Sequence, residues 1–395
     1  MADAWISPVA TGASPDMIND SLRWRDYFLR EGQHFDEFWK PFLAEQERNV
    51  LFVIGHGFDV RMCDGIERIL GLGGDGKRDV ILLAFHEGAE SASQVHLEQR
   101  EANGKRLADL LKGRGVIARR DITMFSEDGR RVGARSVAKE FGSSAEFRAY
   151  TDVVVDISAL PRGLYLPLLA KFLALFDVKQ EDGEERNLHV VVSHSPTTDN
   201  AIVDEGLEEN ATYLFGFSAA ALESESTSGQ PKIWMPVLGK RQQAQLERIH
   251  TLVSPDEICP LLPSPAQDPR EGDSIMIEYR ELLFDQLRVE PRNIIYAAES
   301  NPFEVYRQLM RSILHYQQAL TPLGGCKVAL SAMSSKLASI GVLLAAYELG
   351  RREPRVVVGV AHVESHGYRV DHQVAGPVPA PTLVTMWLSG ECYVE

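Results

Sequence analysis

The chain has 395 residues, 44% hydrophobic and 25% charged, the balance of a soluble globular protein with too much chain for one ordinary core, so two domains are expected. Its formal net charge of -15, from 41 lysines and arginines against 56 aspartates and glutamates, argues against nonspecific nucleic-acid binding, which depends on a basic surface. No stretch reaches the roughly 18 apolar residues needed to span a bilayer, and the N-terminal Met-Ala-Asp-Ala-Trp-Ile-Ser-Pro carries no basic region followed by an apolar one, so a cytoplasmic protein away from membranes is expected. Cys63, Cys259, Cys326 and Cys392 are far apart and none belongs to a Cys-x-x-Cys pair, which argues against structural zinc and against a disulfide scaffold.

In chain order, residues 16–46 carry Trp24, Tyr27, Phe28, Phe35, Phe38, Trp39 and Phe42 at helical spacing. They predict two short amphipathic helices that cover a core. Apolar runs at 50–54, 79–85, 152–157 and 188–193 then alternate with helical patterns near 59–71, 92–112 and 160–176. That alternation predicts a parallel sheet covered by helices, and short apolar runs at 212–217 and 233–238 are expected to extend it. Between 255 and 272 Pro260, Pro263, Pro265 and Pro269, with acidic neighbours, interrupt both helix and central strand. A connection between domains is expected there.

Beyond it the pattern predicts helix 273–287, strand 293–298, helix 302–319, strand 326–331, helix 335–349 and strand 355–361, with 382–388 as an antiparallel edge strand. The expected architecture is α/β, with two Rossmann-like domains of mainly parallel sheets at 49–254 and 273–395. An N-terminal helical segment over 1–48 precedes them.

In such folds ligands sit beyond the carboxyl ends of the strands, so the residues after each apolar run are the informative ones. In the second domain Ser331 ends a strand, and Ser334, Ser335 and Lys336 form the turn into an apolar helix. Unpaired backbone N–H groups, hydroxyls and one cation there suit an anion, against the alternative of simple capping with an exposed lysine. The turn lacks the Gly-x-x-x-x-Gly-Lys pattern of a P-loop. Glu299 and Asn301 follow the first strand, and Asn301-Pro302 also fits ordinary helix capping. If 362–366 is extended, His362, Glu364 and His366 share one face. They are candidates for acid–base work, for ligand contact or for a metal, and no further metal ligand is assignable.

In the first domain, Gly55-His56-Gly57-Phe58-Asp59-Val60-Arg61 follows the first strand. Its glycine pair permits a close strand-to-helix turn, but the third glycine of the dinucleotide fingerprint is absent, so NAD is not expected. At the next mouths, Asp156, Ser158 and Arg162 flank one turn and Ser193-His194-Ser195 another. Asp156, Asp59 or His56 are candidate bases, and Arg61 or Arg162 candidate clamps on a phosphate or carboxylate. Capping by Asp156 and Ser158 is the plain alternative. A serine-hydrolase elbow is not expected, since Gly-x-Ser-x-Gly is missing. The spacing over residues 55–61 resembles the first glycine-rich loop of some S-adenosylmethionine-dependent methyltransferases, which implies an acidic residue at the end of the second strand, here Glu87.

Residues 293–361 resemble in outline the nucleotide-sensing Rossmann-like domains of prokaryotic defence systems, where a strand leads into a Ser/Thr-Gly-Lys-type turn; here Gly324-Gly325 precede the strand. The resemblance implies a sensor of antiviral defence. The first expectation is therefore a binder of a nucleotide or related phosphorylated small molecule. The second is an enzyme acting on a nucleotide or nucleoside, a hydrolase or transferase, and the third a non-catalytic adaptor. The sequence assigns no cofactor and no protein partner, and a homo-oligomer stays open.

Overall fold

The computed structural model describes residues 21–393 except 87, 89–90, 179–184, 218–221, 225–226, 353–355 and 371–379. In chain order the first half comprises β1 (Phe28–Glu31), α1 (Gln33–Ala44), β2 (Val50–Gly55), α2 (Asp64–Gly71), β3 (Arg78–Phe85), α3 (Leu97–Leu111), β4 (Ile117–Ile122), α4 (Gly133–Glu140), β5 (Asp152–Asp156), α5 (Arg162–Phe176) and β6 (Asn187–His194). Then come α6 (Pro196–Ala201), β7 (Ile202–Leu207), β8 (Thr212–Tyr213), β9 (Lys232–Leu238), α7 (Gln243–Val253), β10 (Glu257–Ile258), β11 (Leu261–Pro263), α8 (Glu271–Glu278) and β12 (Ile295–Ala297). The chain continues through α9 (Pro302–Ala319), β13 (Lys327–Met333), α10 (Lys336–Leu349), β14 (Val357–His362), β15 (Ser365–Val370) and β16 (Thr382–Ser389).

Two mostly parallel sheets result. The first runs β1-β16-β6-β5-β2-β3-β4 and the second β12-β11-β9-β13-β14-β8, with β10 also pairing β9. In each, the parallel strands lie in the spatial order third, second, first, fourth, fifth, the doubly wound order of Rossmann folds. The crossover helices correspond as well: α5 follows the fourth strand of the first sheet and α10 the fourth strand of the second.

The division of strands between the sheets corrects several expectations. Residues 233–238 do not extend the first sheet; they form β9, the first strand of the second, and β8 joins the same sheet antiparallel to β14. The proline-rich run holds β10 and β11, whose short length tolerates the missing proline donors. The C-terminal strand is antiparallel as expected, but it pairs with β6 of the first sheet, and β1 covers its other edge. Residues 21–26 form turns rather than a helix. Their aromatic spacing reflects docking: Trp24 donates from Nε1 to Leu388 O at 3.0 Å, and Tyr27 stacks on Phe303 with centroids 4.4 Å apart. β4, with sequence IARRDI, has no apolar run to announce it because it is an edge strand.

The two sheets face one another across a shared core. Leu51, Val53, Val153 and Val155 of the first sheet and Met235, Val328 and Leu330 of the second belong to one buried cluster that also holds α5, α9 and α10. A helix between two apolar surfaces needs apolar residues all round. That is why α10 buries every residue from Leu337 to Leu349 and shows no polar stripe. The outer face of the first sheet packs on α1, α2 and α3, and that of the second on α7 and α8. Among the described residues no helix is long and apolar enough to cross a membrane.

A matching close approach stands just after the first strand of each sheet. A Cβ on Gly57 would lie 2.5 Å from Ala159 O, and one on Gly239 would lie 2.6 Å from Met333 O. Both obstacles are backbone and cannot swing away. Gly239→Ala is therefore expected to destabilise the protein by about 2–3 kcal/mol, the usual cost of overpacking, read as a lower urea midpoint at unchanged slope.

Candidate functional site

Parallel strands point their carboxyl ends, and the following helices their N-termini, toward the same side. Here those sides of both sheets open on one cleft of about 530 Å³. The first sheet supplies His56–Asp59, Ser158–Arg162 and His194; the second supplies Gly239–Gln245, Glu299, Met333–Lys336 and His362. A two-stranded antiparallel ribbon of β7 and β15 closes one side with Ile202, Leu207 and Tyr368. Phe58 stacks on His96 at 4.4 Å, giving the cleft a planar aromatic wall beside Phe85.

At the junction of the sheets the starts of α5 and α10 are cross-braced. Lys336, first residue of α10, donates from Nζ to the Ser158 carbonyl, and Arg162, first residue of α5, donates from Nη2 to Ser334 O at 2.6 Å. Each cation thus holds the loop that precedes the other helix. Ser158 is the hub of this corner, because its N–H donates to Asp156 Oδ1 at 2.9 Å and its Oγ accepts from Ser193 N at 2.8 Å. Ser335 is the N-cap of α10, accepting from Ala338 N at 3.2 Å. Burial pushes the Lys336 ammonium below its ordinary value, although Asp59, Asp199 and Asp156 pull the other way. The sequence-proposed cradle of Ser334, Ser335 and Lys336 therefore lines the cleft, with one hydroxyl used as a cap and the lysine engaged by a neutral carbonyl.

Other proposed residues divide sharply. His56, Gly57, Asp59, Ser158, Arg162, Glu299 and His362 also line the cleft. His56 is bound through Nε2 to Arg100 O at 3.0 Å, and burial lowers its pKa. Glu299 accepts from Gln267 N at 3.0 Å. Gly55, Asp156, Arg61, Ser331, Asn301 and Glu364 have protein partners instead of cleft positions. Gly55 is packed by Leu160, so its missing side chain makes room for protein rather than ligand. Ser331 accepts from Trp234 Nε1 at 2.9 Å inside β13. Asn301 caps α9, accepting from Phe303 N and Glu304 N at 3.0 and 3.2 Å.

The two carboxylates among the acid–base candidates of the first sheet are tied up in different ways. Asp59 accepts from Arg61 N, Nε and Nη2 at 3.0, 3.0 and 2.7 Å, while the same guanidinium reaches Asp199 at 2.7 Å and Ser193 O at 3.0 Å. Burial opposes ionisation of Asp59, yet the bonds from Arg61 outweigh it and hold the carboxyl below its ordinary value. Arg61 is thus an anchor for the loops, not a clamp waiting for phosphate. Asp156 is 2% exposed, and burial raises its pKa to about 7; its Oδ2 has no hydrogen-bond partner. It lies under Ser158, walled from the cleft, which corrects its expected role as a base.

The His362–Glu364–His366 face does not form, because β14 ends at His362 and β15 starts at Ser365. His362 and Glu364 approach to 3.7 Å, whereas His366 pairs with Glu208 at 3.3 Å. A Cβ on Gly163 would lie 2.5 Å from Glu364 Oε1, so this carboxylate sits over the start of α5, where the helix dipole favours negative charge. Burial opposes its ionisation, but His362 outweighs it and lowers the pKa. Among the described residues no cluster of three or more His, Cys, Asp or Glu side chains is arranged to hold a metal. Glu87 lies outside the described residues.

Several cleft residues lie outside the candidates read from the sequence: Arg100, Tyr165, Asp199, Lys240 and Arg241. Lys240 and Arg241 follow a strand end, and recognising β9 as part of the second sheet would have found them. Tyr165 carries no such signal beyond its place one turn after Arg162. Lys240 pairs with Glu271. Among the described residues no ion pair within 4 Å engages the side chains of Arg100, Arg162, Arg241 or Lys336, although Arg241 N donates to Glu278 Oε1 at 2.6 Å and Arg241 Nη1 to Asn200 O at 3.3 Å. Among the described residues four buried polar groups lining the cleft also have no hydrogen-bond partner: Arg100 Nε, Arg162 Nε, Tyr165 OH and His194 Nδ1. Buried polar groups are almost always paired. Donors left over in a cleft rimmed by helix N-termini suit an acceptor-rich anion. No protein-family model matches the sequence, and no curated protein matches it either, so the reading of this cleft rests on its own geometry.

Proposed function

We propose that the protein binds a nucleotide or related phosphorylated small molecule in the cleft between its two sheets and acts as a sensor, in the manner of a prokaryotic defence protein. The observation that carries this reading is the set of unpaired cations and partnerless donors in a cleft fed by helix N-termini from both sheets. A phosphate supplies acceptors to such groups, and the Phe58–His96 wall offers a stacking surface for a base. Of the acid–base candidates, Asp59 is held by Arg61, Asp156 is walled off and Glu364 covers α5, which leaves the enzyme alternative only His56 and His362 in the cleft lining. Sensing therefore ranks ahead of turnover, and an adaptor without ligand ranks behind both, since it leaves the open donors unexplained.

The test is thermal unfolding with inorganic phosphate, pyrophosphate and nucleoside mono- and triphosphates, followed by mass spectrometry of each incubation. A ligand at a hundredfold excess over its Kd stabilises by about 3 kcal/mol. A rise in midpoint with unchanged ligand mass is the expected result. Altered mass would move the protein to the enzyme class, and no rise with any probe would reject the reading. Tyr165→Phe provides an internal check, because its hydroxyl is buried without a partner. Removing a group that costs about 1–3 kcal/mol to leave unsatisfied should keep or raise the stability of the free protein while weakening ligand binding about fivefold to tenfold, at about 1 kcal/mol per lost hydrogen bond.

A further inference from the structure

The two cations at the sheet junction occupy corresponding places in the repeated topology. Arg162 begins the helix after the fourth strand of one sheet, and Lys336 begins the helix after the fourth strand of the other. α5 and α10 therefore bring two positive helix ends and two side-chain charges to one spot. Neither cation has a carboxylate there; each is satisfied only by a neutral main-chain carbonyl across the junction. Like charges held together repel, Asp59, Asp199 and Asp156 offset this for Lys336 only through space, and a hydrogen bond to an anion is about twice as strong as one to a neutral acceptor.

Two further donors point to what is missing. Arg162 Nε is buried with no partner, and Tyr165, 1% exposed and one turn further along α5, lines the cleft with its hydroxyl unpaired. Residues three apart on a helix share a face, so both donors belong to the side of α5 that meets the cleft. Ser334 lines the cleft at the opposite helix start.

Resting on the cleft reading above, we propose that the phosphoryl group of the ligand is held jointly by the two units, between the starts of α5 and α10. Arg162 and Lys336 exchange their carbonyl acceptors, Ser334 O and Ser158 O, for its oxygens. Tyr165 OH donates a further bond. The site is a composite: a cation and a helix N-terminus come from each Rossmann-like unit, and neither set suffices alone. A dianionic phosphoryl group matches it better than a carboxylate, because the donors approach from two opposed helices and a tetrahedral group offers oxygens to both sides.

The experiment uses the full chain and calorimetric titration with inorganic pyrophosphate and with nucleoside triphosphates. Arg162→Gln and Lys336→Gln are each expected to weaken binding at least thirtyfold. Arg162→Lys and Lys336→Arg, which keep the charge and guard against a folding defect, should stay within about fivefold of the parent. Arg292→Gln, at an exposed position outside the cleft lining, should leave affinity unchanged. In spectra of protein with 15N-labelled arginine, the Arg162 Nε–H resonance should move on adding pyrophosphate. If nucleotides bind the parent and both glutamine variants equally, the phosphoryl group lies elsewhere in the cleft: the junction site is overturned and the cleft reading survives. If no probe binds the parent, both fall.

Discussion

Asp156→Asn is expected to make the protein more stable than its parent at pH 8 and indistinguishable from it at pH 4. Asp156 ends β5 with its carboxyl 2% exposed, between Gly65 and Asp64 of α2, Val191 of β6 and the Ser158 turn. Oδ1 receives Ser158 N at 2.9 Å; Oδ2 receives nothing. Burial raises the pKa to about 7, with Asp64 adding to the rise and Ser158 and Lys336 opposing it. In the unfolded chain the same group titrates near ~4. Below about pH 4 both states hold the proton and the difference vanishes. As pH climbs toward 7 the folded state still holds a proton that the unfolded state has released, so stability falls with rising pH. Above about 7 the loss is complete and amounts to on the order of 4 kcal/mol. Asparagine keeps the acceptor for Ser158 N and copies the protonated form, so the stability difference between variant and parent should open from near zero at pH 4 to its full size above pH 7. Urea unfolding at pH 4, 6 and 8 measures it, and parallel pH profiles for parent and variant would refute the assignment.

Much of this fold was legible because buried parallel strands are continuous apolar runs. β2, β5 and β13 stand out in the sequence for that reason. What was not legible is which sheet a strand joins, since β9 is as apolar as β6 and local pattern says nothing about partners set by long-range packing. The error at β9 propagated to the site. Lys336 and Arg162 follow from the rule that strand ends face the ligand, and Lys240 and Arg241 follow from the same rule only once β9 is placed in the second sheet. The same limit applies to Arg61 and Ser331: residue type and position fit a ligand site, but Asp59 two residues away, and Asp199 and Trp234 from distant parts of the chain, consume their donors and acceptors. Proximity to a strand end selects candidates. Only the partners already present separate a clamp from an anchor.

Arg61 gives the sharpest case of that separation, and Arg61→Met is expected to cost about 3–5 kcal/mol of stability, the usual result of removing one partner from a buried ion pair. The guanidinium is 3% exposed and every one of its nitrogens has a protein acceptor in Asp59, Asp199 or Ser193 O. Burial opposes its charge, but the hydrogen bonds and fields of Asp59 and Asp199 outweigh that and raise its pKa. Methionine fills similar space and leaves two carboxylates, one of them buried, without their cation. The double variant Asp59→Asn/Arg61→Met should therefore recover part of the loss, because it removes one orphaned charge and leaves the more exposed Asp199 to water. A phosphate clamp behaves otherwise: its loss weakens ligand binding and leaves the free protein as stable as before. Urea midpoints of the parent, the single variant and the double variant decide between the two roles, and an unchanged midpoint in Arg61→Met would return this arginine to the ligand site. Because Asp59 and Asp199 line the same cleft as Ser158, Arg162 and Lys336, the anchor also fixes part of the wall that the junction shares.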